Sequence, residues 1–288
     1  MSALSNEIKV DVEITRSRGH AVDLAAQARV DGLDVVIALG GDGTVNEVVN
    51  GLLADGPAPE GPALAVVPGG NANVFARALG LPNCAVDATS VLLSALAGDR
   101  RRRISAGRVV SSDESDRWFT FCAGLGLDAA VVRRVERKRA RGARATPGLF
   151  VRNGLTEFFL HSRREPALLL ERDGQDPEPL GMALVCNTDP WTYLGPRPVR
   201  ACPDAGFETG LDLFGVRRLG TVATLRHLRQ ILAPSARPRG RTLLQVHDAS
   251  ELRLSSNRPV PLQVDGDDLG DRTQVVLQGV PDALTVVV

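Results

Sequence analysis

Aromatic side chains make up only 4% of this 288-residue chain: two Trp, one Tyr and eight Phe. Formal net charge is zero. Together these leave no compositional case for a nucleic acid or any other polyanionic partner. The four cysteines (Cys84, Cys122, Cys186, Cys202) are scattered and form no C-x-x-C pair. That pattern excludes a disulfide framework and predicts reduced, mostly buried thiols. The four histidines (His20, His161, His227, His247) lack ligand spacing, so zinc is not expected. No apolar run approaches the length of a membrane span. The basic-then-apolar signature of a secretory signal is missing too, so a cytoplasmic location is expected. What remains is 43% hydrophobic residues, enough for a substantial core, over a length that allows one large or two ordinary domains.

Against that background two glycine clusters stand out. Asp34–Leu39 (DVVIAL) reads as a buried parallel strand and stops at Gly40-Gly41-Asp42-Gly43-Thr44. Ala63–Val67 reads as a second strand and stops at Pro68-Gly69-Gly70-Asn71-Ala72-Asn73. Each cluster opens onto a helix-like run, an arrangement that aims backbone N–H groups and helix N-termini at one place and suits a polyphosphate. Thr44 reads as the first helix's N-cap, with Glu47 completing a capping box. Asn71 or Asn73 reads as the cap of the second helix, which should end at Leu79 with Gly80 as its C′ residue and Pro82 as the stop. Arg77 on that helix suits either a phosphate or a neighbouring acid. A carboxylate beside a phosphate is repelled unless a cation intervenes, so Asp42 predicts Mg²⁺.

These residues resemble a known family. GGDGTVNEVVNGL (Gly40–Leu52) and PGGNANVFARALGLP (Pro68–Pro82) are similar to the catalytic domain of diacylglycerol kinases, a group that includes bacterial lipid kinases and the sphingosine and ceramide kinases. Phe121–Asp128 resembles the family's aromatic-x-x-G-x-G-x-D stretch, Glu208–Asp212 its acid-x-G-L-D segment and Gln263–Asp267 its D-G-E motif. The resemblance implies the fold: an N-terminal α/β domain of the kind shared by NAD kinases and diacylglycerol kinases, and a C-terminal antiparallel β-sandwich, with the active site in the cleft between them. It implies that ATP is held by Thr15, Gly40, Gly41, Asp42, Gly43, Thr44, Asn46, Gly69, Gly70, Asn71 and Asn73. It further implies that Asp42, Glu208 and Asp212 serve Mg²⁺, and that Asp265 or Asp267 takes the proton of a lipid hydroxyl. Val74 stands where many members carry Asp, and Asp267 where they carry Glu. The family's usual first strand, ending in Asn-Pro, has no counterpart before Glu7, so an N-terminally extended form is expected to be more stable or more active.

Along the chain, Glu7–Ile14 reads as a strand, and Val22–Val30 and Ala85–Leu96 as helices. The arginine run Arg100–Arg103 marks a boundary between a nucleotide-binding domain (1–104) and a lipid-substrate domain (105–288). Beyond it, strand-like runs recur at Trp118–Cys122, Ala167–Glu171, Met182–Cys186, Leu211–Val216, Leu243–His247, Leu252–Ser255, Val260–Val264, Thr273–Leu277 and Leu284–Val288. Helices are expected near Asp128–Arg139, Leu149–Leu160 and Thr221–Leu232. The run Arg133–Arg144 holds seven Arg or Lys against one acid; it reads either as a dock for anionic headgroups or as a solvated face. Phe150, Leu155, Phe158, Phe159 and Leu160 could line an acyl slot or pack in a core. Trp191 and Tyr193 suit a pocket rim or a membrane interface.

The expected activity is therefore an ATP- and Mg²⁺-dependent lipid kinase acting at a membrane surface without spanning it, with a homodimer possible. The alternatives are NAD kinase, which shares the G-G-D-G-T loop, and a catalytically silent nucleotide- or lipid-binding protein.

Overall fold

The computed structural model describes residues 9–110, 116–139, 167–172 and 174–288. The chain divides into two compact units: residues 1–106 with 280–288, and residues 107–279. The divisions fall inside two strands. The expected helix at Leu149–Leu160, with its apolar residues Phe150, Leu155, Phe158, Phe159 and Leu160, lies outside the described residues.

The first unit contains α1 (His20–Val30), β1 (Val35–Gly40), α2 (Asp42–Leu52), β2 (Ala63–Pro68), α3 (Val74–Ala78), α4 (Ala85–Ala97) and the start of β3 (Arg101–Val110). The run ALAVVP of β2 is buried on both faces, as its unbroken apolar character requires. β1 and β2 pair in parallel from Val35↔Ala63 to Gly40↔Pro68. That register ends both strands level, so both glycine clusters leave the sheet at the same edge. The chain's last strand returns to this unit, setting Val286 parallel to Leu64, and Val287 joins Ala63, Ala65, Val67, Leu92 and Ala95 in one core. Helices α1 and α2 approach closely at Gly51, where a Cβ would lie 2.3 Å from the Val22 carbonyl oxygen. No strand forms over residues 9–16, contrary to the expectation for Glu7–Ile14; Val12 and Ile14 are exposed. Alternation alone does not make a strand where no neighbour pairs with it.

The second unit contains the rest of β3, β4 (Arg117–Phe119), β5 (Cys122–Gly126), α5 (Leu127–Arg139), β6 (Leu168–Glu171), β7 (Glu178–Leu180), β8 (Met182–Cys186), β9 (Thr192–Leu194), β10 (Arg197–Val199), β11 (Leu211–Val216), α6 (Thr221–Ile231), β12 (Leu243–Ala249), β13 (Glu251–Val264) and most of β14 (Asp267–Val287). Its pairings are antiparallel. The first half of β13 pairs with β6 and its second half with β5, while β14 follows it along both halves. A strand that changes partner midway lets the sheet enclose one core, with Phe119, Leu125, Leu170, Leu213, Leu252 and Leu277 within it. The expected strand Trp118–Cys122 is broken at Thr120-Phe121, for a reason given by Asp265 below. Cys122, Cys186 and Cys202 are buried and Cys84 is exposed, all as free thiols.

Candidate active site

The two glycine clusters of the first unit touch backbone to backbone. Gly69 donates its N–H to the Gly40 carbonyl at 2.8 Å. A Cβ on Gly70 would lie 2.6 Å from the Gly41 Cα, and one on Gly69 would lie 3.3 Å from the Gly40 Cα. Only glycine permits this approach, which locks the two loops into one platform at the ends of β1 and β2. That is the edge at which ligands bind in parallel α/β sheets. Helix α2 starts here, at Asp42, with Gly41 as its N-cap and no side-chain cap. Its first N–H groups are therefore not claimed by a capping side chain, which makes this end a ready anion site.

The capping box expected at Thr44-Glu47 does not form. Glu47 accepts instead from the N–H groups of Gly19 (2.9 Å) and Ala21 (3.3 Å), closing the start of α1. A carboxylate there satisfies orphan donors and complements the helix dipole, and α1 has no cap of its own. Thr44 packs over Gly40, where a Cβ would meet it at 2.8 Å. Asn73 is the N-cap residue of α3 in a left-handed conformation (φ 47°) but does not cap it with its side chain. Its amide instead holds the second loop, accepting from Gly70 N at 2.8 Å and donating to Gly70 O at 3.0 Å. Asp42 Oδ1 accepts from Phe75 N at 3.2 Å, tying α2 to α3.

The remaining expected nucleotide residues divide by burial. Gly43 and Asn71 are exposed beside the platform. Asn46 is fully buried, and its amide oxygen accepts from Asn50 at 3.1 Å, so it supports the loops from behind. Thr15 is exposed in the irregular segment before α1. Substituting Gly70→Ala should weaken nucleotide binding at least tenfold, because the added methyl must push the loops apart. Titration with a fluorescent ATP analogue measures this, and unchanged affinity would separate the platform from nucleotide binding.

In the second unit Asp265 is buried at φ 48°. Its Oδ2 accepts from Thr120 N (2.7 Å) and Thr120 Oγ1 (2.9 Å), and its Oδ1 from Phe121 N and Cys122 N (both 3.0 Å). Turning three consecutive N–H groups toward one carboxylate is what interrupts the strand between β4 and β5. Asp267 lies two residues on, with its side chain 21% exposed and Arg117 Nη2 at 3.8 Å. The connecting turn is braced by Gln263, whose Oε1 accepts from Gly266 N (2.8 Å) and whose Nε2 donates to Asp128 Oδ2 (2.8 Å). Burial pushes the Asp128 carboxyl up to about 6, with the Gln263 hydrogen bond opposing it. Asp128 and Gln263 are not among the site residues expected from the sequence; the only signal for Asp128 is its place at the end of the aromatic-x-x-G-x-G-x-D stretch.

Asp212 does not stand open for a cation. Its two oxygens take His247 Nδ1 at 2.8 and 3.0 Å, and Oδ1 also takes Asp248 N. Burial raises its pKa, and these bonds oppose the rise. Glu208 is exposed in the turn before β11. Among the described residues no group of three or more His, Cys, Asp or Glu could hold a metal ion. An ion held by one carboxylate together with nucleotide phosphates still fits, since Mg²⁺ keeps most of its shell as water and phosphate. Of the three expected ligands, Asp42 at the platform fits that role.

The basic run is also partly committed. Arg133 pairs with Asp268 (2.8 Å) and Asp271 (2.6 Å), and its residues 140–144 lie outside the described residues. No helix among the described residues is long and apolar enough to cross a membrane.

Comparison with known proteins agrees with the geometry. Residues 2–109 match the family model described as "Diacylglycerol kinase catalytic domain". A 68-residue stretch is 50% identical to a diacylglycerol kinase of Bacillus subtilis, covering 24% of this chain and 22% of that one. A 120-residue stretch is 38% identical to a protein of Chromohalobacter salexigens described as "Probable lipid kinase YegS-like", covering 42% and 35%. The alignments thus span about a fifth to a third of these relatives' lengths. A crystal structure of a diacylglycerol kinase from Bacillus anthracis superposes with TM-score 0.67 over 95% of this chain and 82% of that one, at 19% identity, which establishes likeness of fold.

Proposed function

We propose that this chain, whose residues 2–109 belong to the diacylglycerol kinase catalytic-domain family, is a kinase that moves the γ-phosphoryl group of ATP to a lipid hydroxyl. The observation that carries the reading is the glycine platform. Two loops in backbone contact, at the level ends of parallel strands and beside a helix start without a side-chain cap, suit a chain of phosphates. The names of the relatives supply the acceptor class.

In the transfer, the lipid oxygen forms a bond to the γ-phosphorus as the bridging oxygen departs with ADP. The hydroxyl proton must leave to a positioned base, because its own pKa lies far above neutrality. We assign that proton to Asp267. A carboxylate has about four lone-pair positions, and in Asp265 four are taken by Thr120, Phe121 and Cys122. Asp265 is then the residue that fixes the turn, and Asp267 the one that receives the proton. The platform, with Gly40, Gly41, Gly43, Thr44, Gly69, Gly70 and Asn71, would hold the phosphates. Asp42 would hold Mg²⁺ against them, and when bound the ion neutralises phosphate charge.

The test is transfer of label from ATP, with Mg²⁺, into micelles of diacylglycerol, monoacylglycerol and a sphingoid base, with NAD in parallel. Label in a lipid product, lost by about a hundredfold or more in Asp267→Asn with the melting temperature unchanged, is the expected result. Label in NADP would replace the acceptor. Full activity of Asp267→Asn would remove it as the base.

A further inference from the structure

Between Arg217 and Arg241 the chain carries seven arginines and no Asp or Glu. Arg217 is paired with Glu178. The other six, Arg218, Arg226, Arg229, Arg237, Arg239 and Arg241, are exposed, and none makes an ion pair among the described residues. In a chain whose charges balance overall, this is a local excess of one sign.

Helix α6 forms the centre of this stretch and is seated by one edge. His227 is buried, edge-on to Phe214 of β11, with Nε2 3.0 Å from Thr242 Oγ1. Ile231, one turn on, is buried beside it. The opposite face carries apolar side chains into solvent: Val222 is 83% exposed, Leu225 57% and Leu228 45%. At 100° per residue Arg226 and Arg229 fall on the same outward face, between and beside the apolar three. The loop that follows lies against this helix, since Arg239 N donates to Gln230 Oε1 at 3.2 Å and Gly240 sits on the His227 ring. The loop arginines are therefore held beside α6.

Leaving three large apolar side chains in water on one helix face, flanked by Arg226 and Arg229 without ion-pair partners among the described residues, fits a particular surface. Phosphate-bearing headgroups match the arginines, and the acyl boundary beneath them matches Val222, Leu225 and Leu228. A nucleic acid would use the charge but offer nothing to the leucines, and the helix supplies no aromatic for base stacking. We propose that α6 and the loop to Arg241 dock this protein on an anionic bilayer, with the helix lying in the plane of the interface. The proposal deepens the lipid-kinase reading and rests on it for the choice of bilayer over other anionic partners.

Sedimentation of the whole chain with vesicles tests it without reference to catalysis. The parent should bind vesicles of phosphatidylcholine mixed with phosphatidylglycerol, bind pure phosphatidylcholine far less, and be released by salt. Each arginine neutralised should lower partitioning roughly fivefold, so Arg226→Gln with Arg229→Gln should lower it roughly twenty-five-fold. Val222→Ser with Leu225→Ser should lower it about tenfold or more. Both pairs change exposed residues, and far-UV circular dichroism checks that they remain folded. Failure of the parent to bind the anionic vesicles, or equal binding by both variants, would overturn the proposal. So would an arginine-only dependence with equal binding to a soluble polyanion such as heparin. If docking behaves as expected but no label ever reaches a lipid, the kinase reading fails and the docking surface stands.

Discussion

Asp265→Asn should cost this protein about 3–5 kcal/mol of stability, enough to lower the melting temperature by roughly 10 °C or more. The carboxylate accepts four hydrogen bonds in a buried place, three of them from consecutive backbone N–H groups. An amide keeps one oxygen and turns an NH₂ toward donors that need an acceptor. At least one buried N–H then loses its acceptor and faces the like dipole of the NH₂ group. The left-handed backbone at residue 265 does not confuse the test, because Asn adopts φ near 48° as readily as Asp. Activity will also fall, but as a consequence of a loosened turn. Asp267→Asn provides the contrast: its side chain is 21% exposed rather than enclosed by backbone donors, so its loss should spare the fold and remove the chemistry. Differential scanning fluorimetry with an initial-rate assay separates the two. An Asp265→Asn protein that melts like its parent yet transfers nothing would return the base to Asp265.

The same four hydrogen bonds show where sequence reasoning stops. The glycine platform is legible because its determinants are local. An apolar run, two glycines and a helix start stand within a dozen residues, and the parallel register then follows from burial. The antiparallel character of the second unit is legible for a similar reason, from short β-branched runs between turn residues. What is not legible depends on partners far along the chain. Glu47 sits at capping-box distance from Thr44, yet its partners are Gly19 and Ala21, whose positions follow from the close packing of α1 on α2 at Gly51. The apparent strand through Thr120 breaks because of a carboxylate about 145 residues later.

Charge and exposure escape the sequence in the same way. The run from Arg133 reads in sequence as either a dock for anionic headgroups or a solvated face, but Asp268 and Asp271 take its first arginine. The helix at Thr221 is legible as a helix, and its stripe of Val222, Leu225 and Leu228 has the spacing of a core face. Only the packing shows that His227 and Ile231 point inward and the stripe points out. Periodicity reports that a helix has two faces; which one is covered is decided by what else the chain brings there.

Asp128→Asn should do the opposite of Asp265→Asn and stabilise the protein at neutral pH by about 2–3 kcal/mol. Burial raises the Asp128 carboxyl from 3.8 to about 6 in the folded state. The folded protein therefore holds a proton there that the unfolded chain has already released. Stability from this group is highest below about pH 4, falls as pH rises through about 6, and stays reduced above it. At pH 7 the ionised carboxylate is a net penalty, worth about 1.4 kcal/mol for each tenfold difference in proton affinity between the folded and unfolded chain. Asn removes the charge and can still accept from Gln263. The difference in unfolding free energy between variant and parent should be near zero at about pH 4, grow to about pH 6 and then level off. A difference that does not vary with pH, or a loss at neutral pH, would refute this account. Turnover should move the other way, falling a few-fold. The Asp128 carboxylate only accepts, so it fixes Gln263 with Nε2 toward itself and Oε1 toward Gly266 N, at the middle of the Asp265-Gly266-Asp267 turn. The amide of the Asp128→Asn variant offers a donor as well, so the Gln263 amide can reverse and release the turn. A charge kept where it lowers stability, on a residue that orients the turn carrying the proposed base, is the pattern expected of a group retained for function.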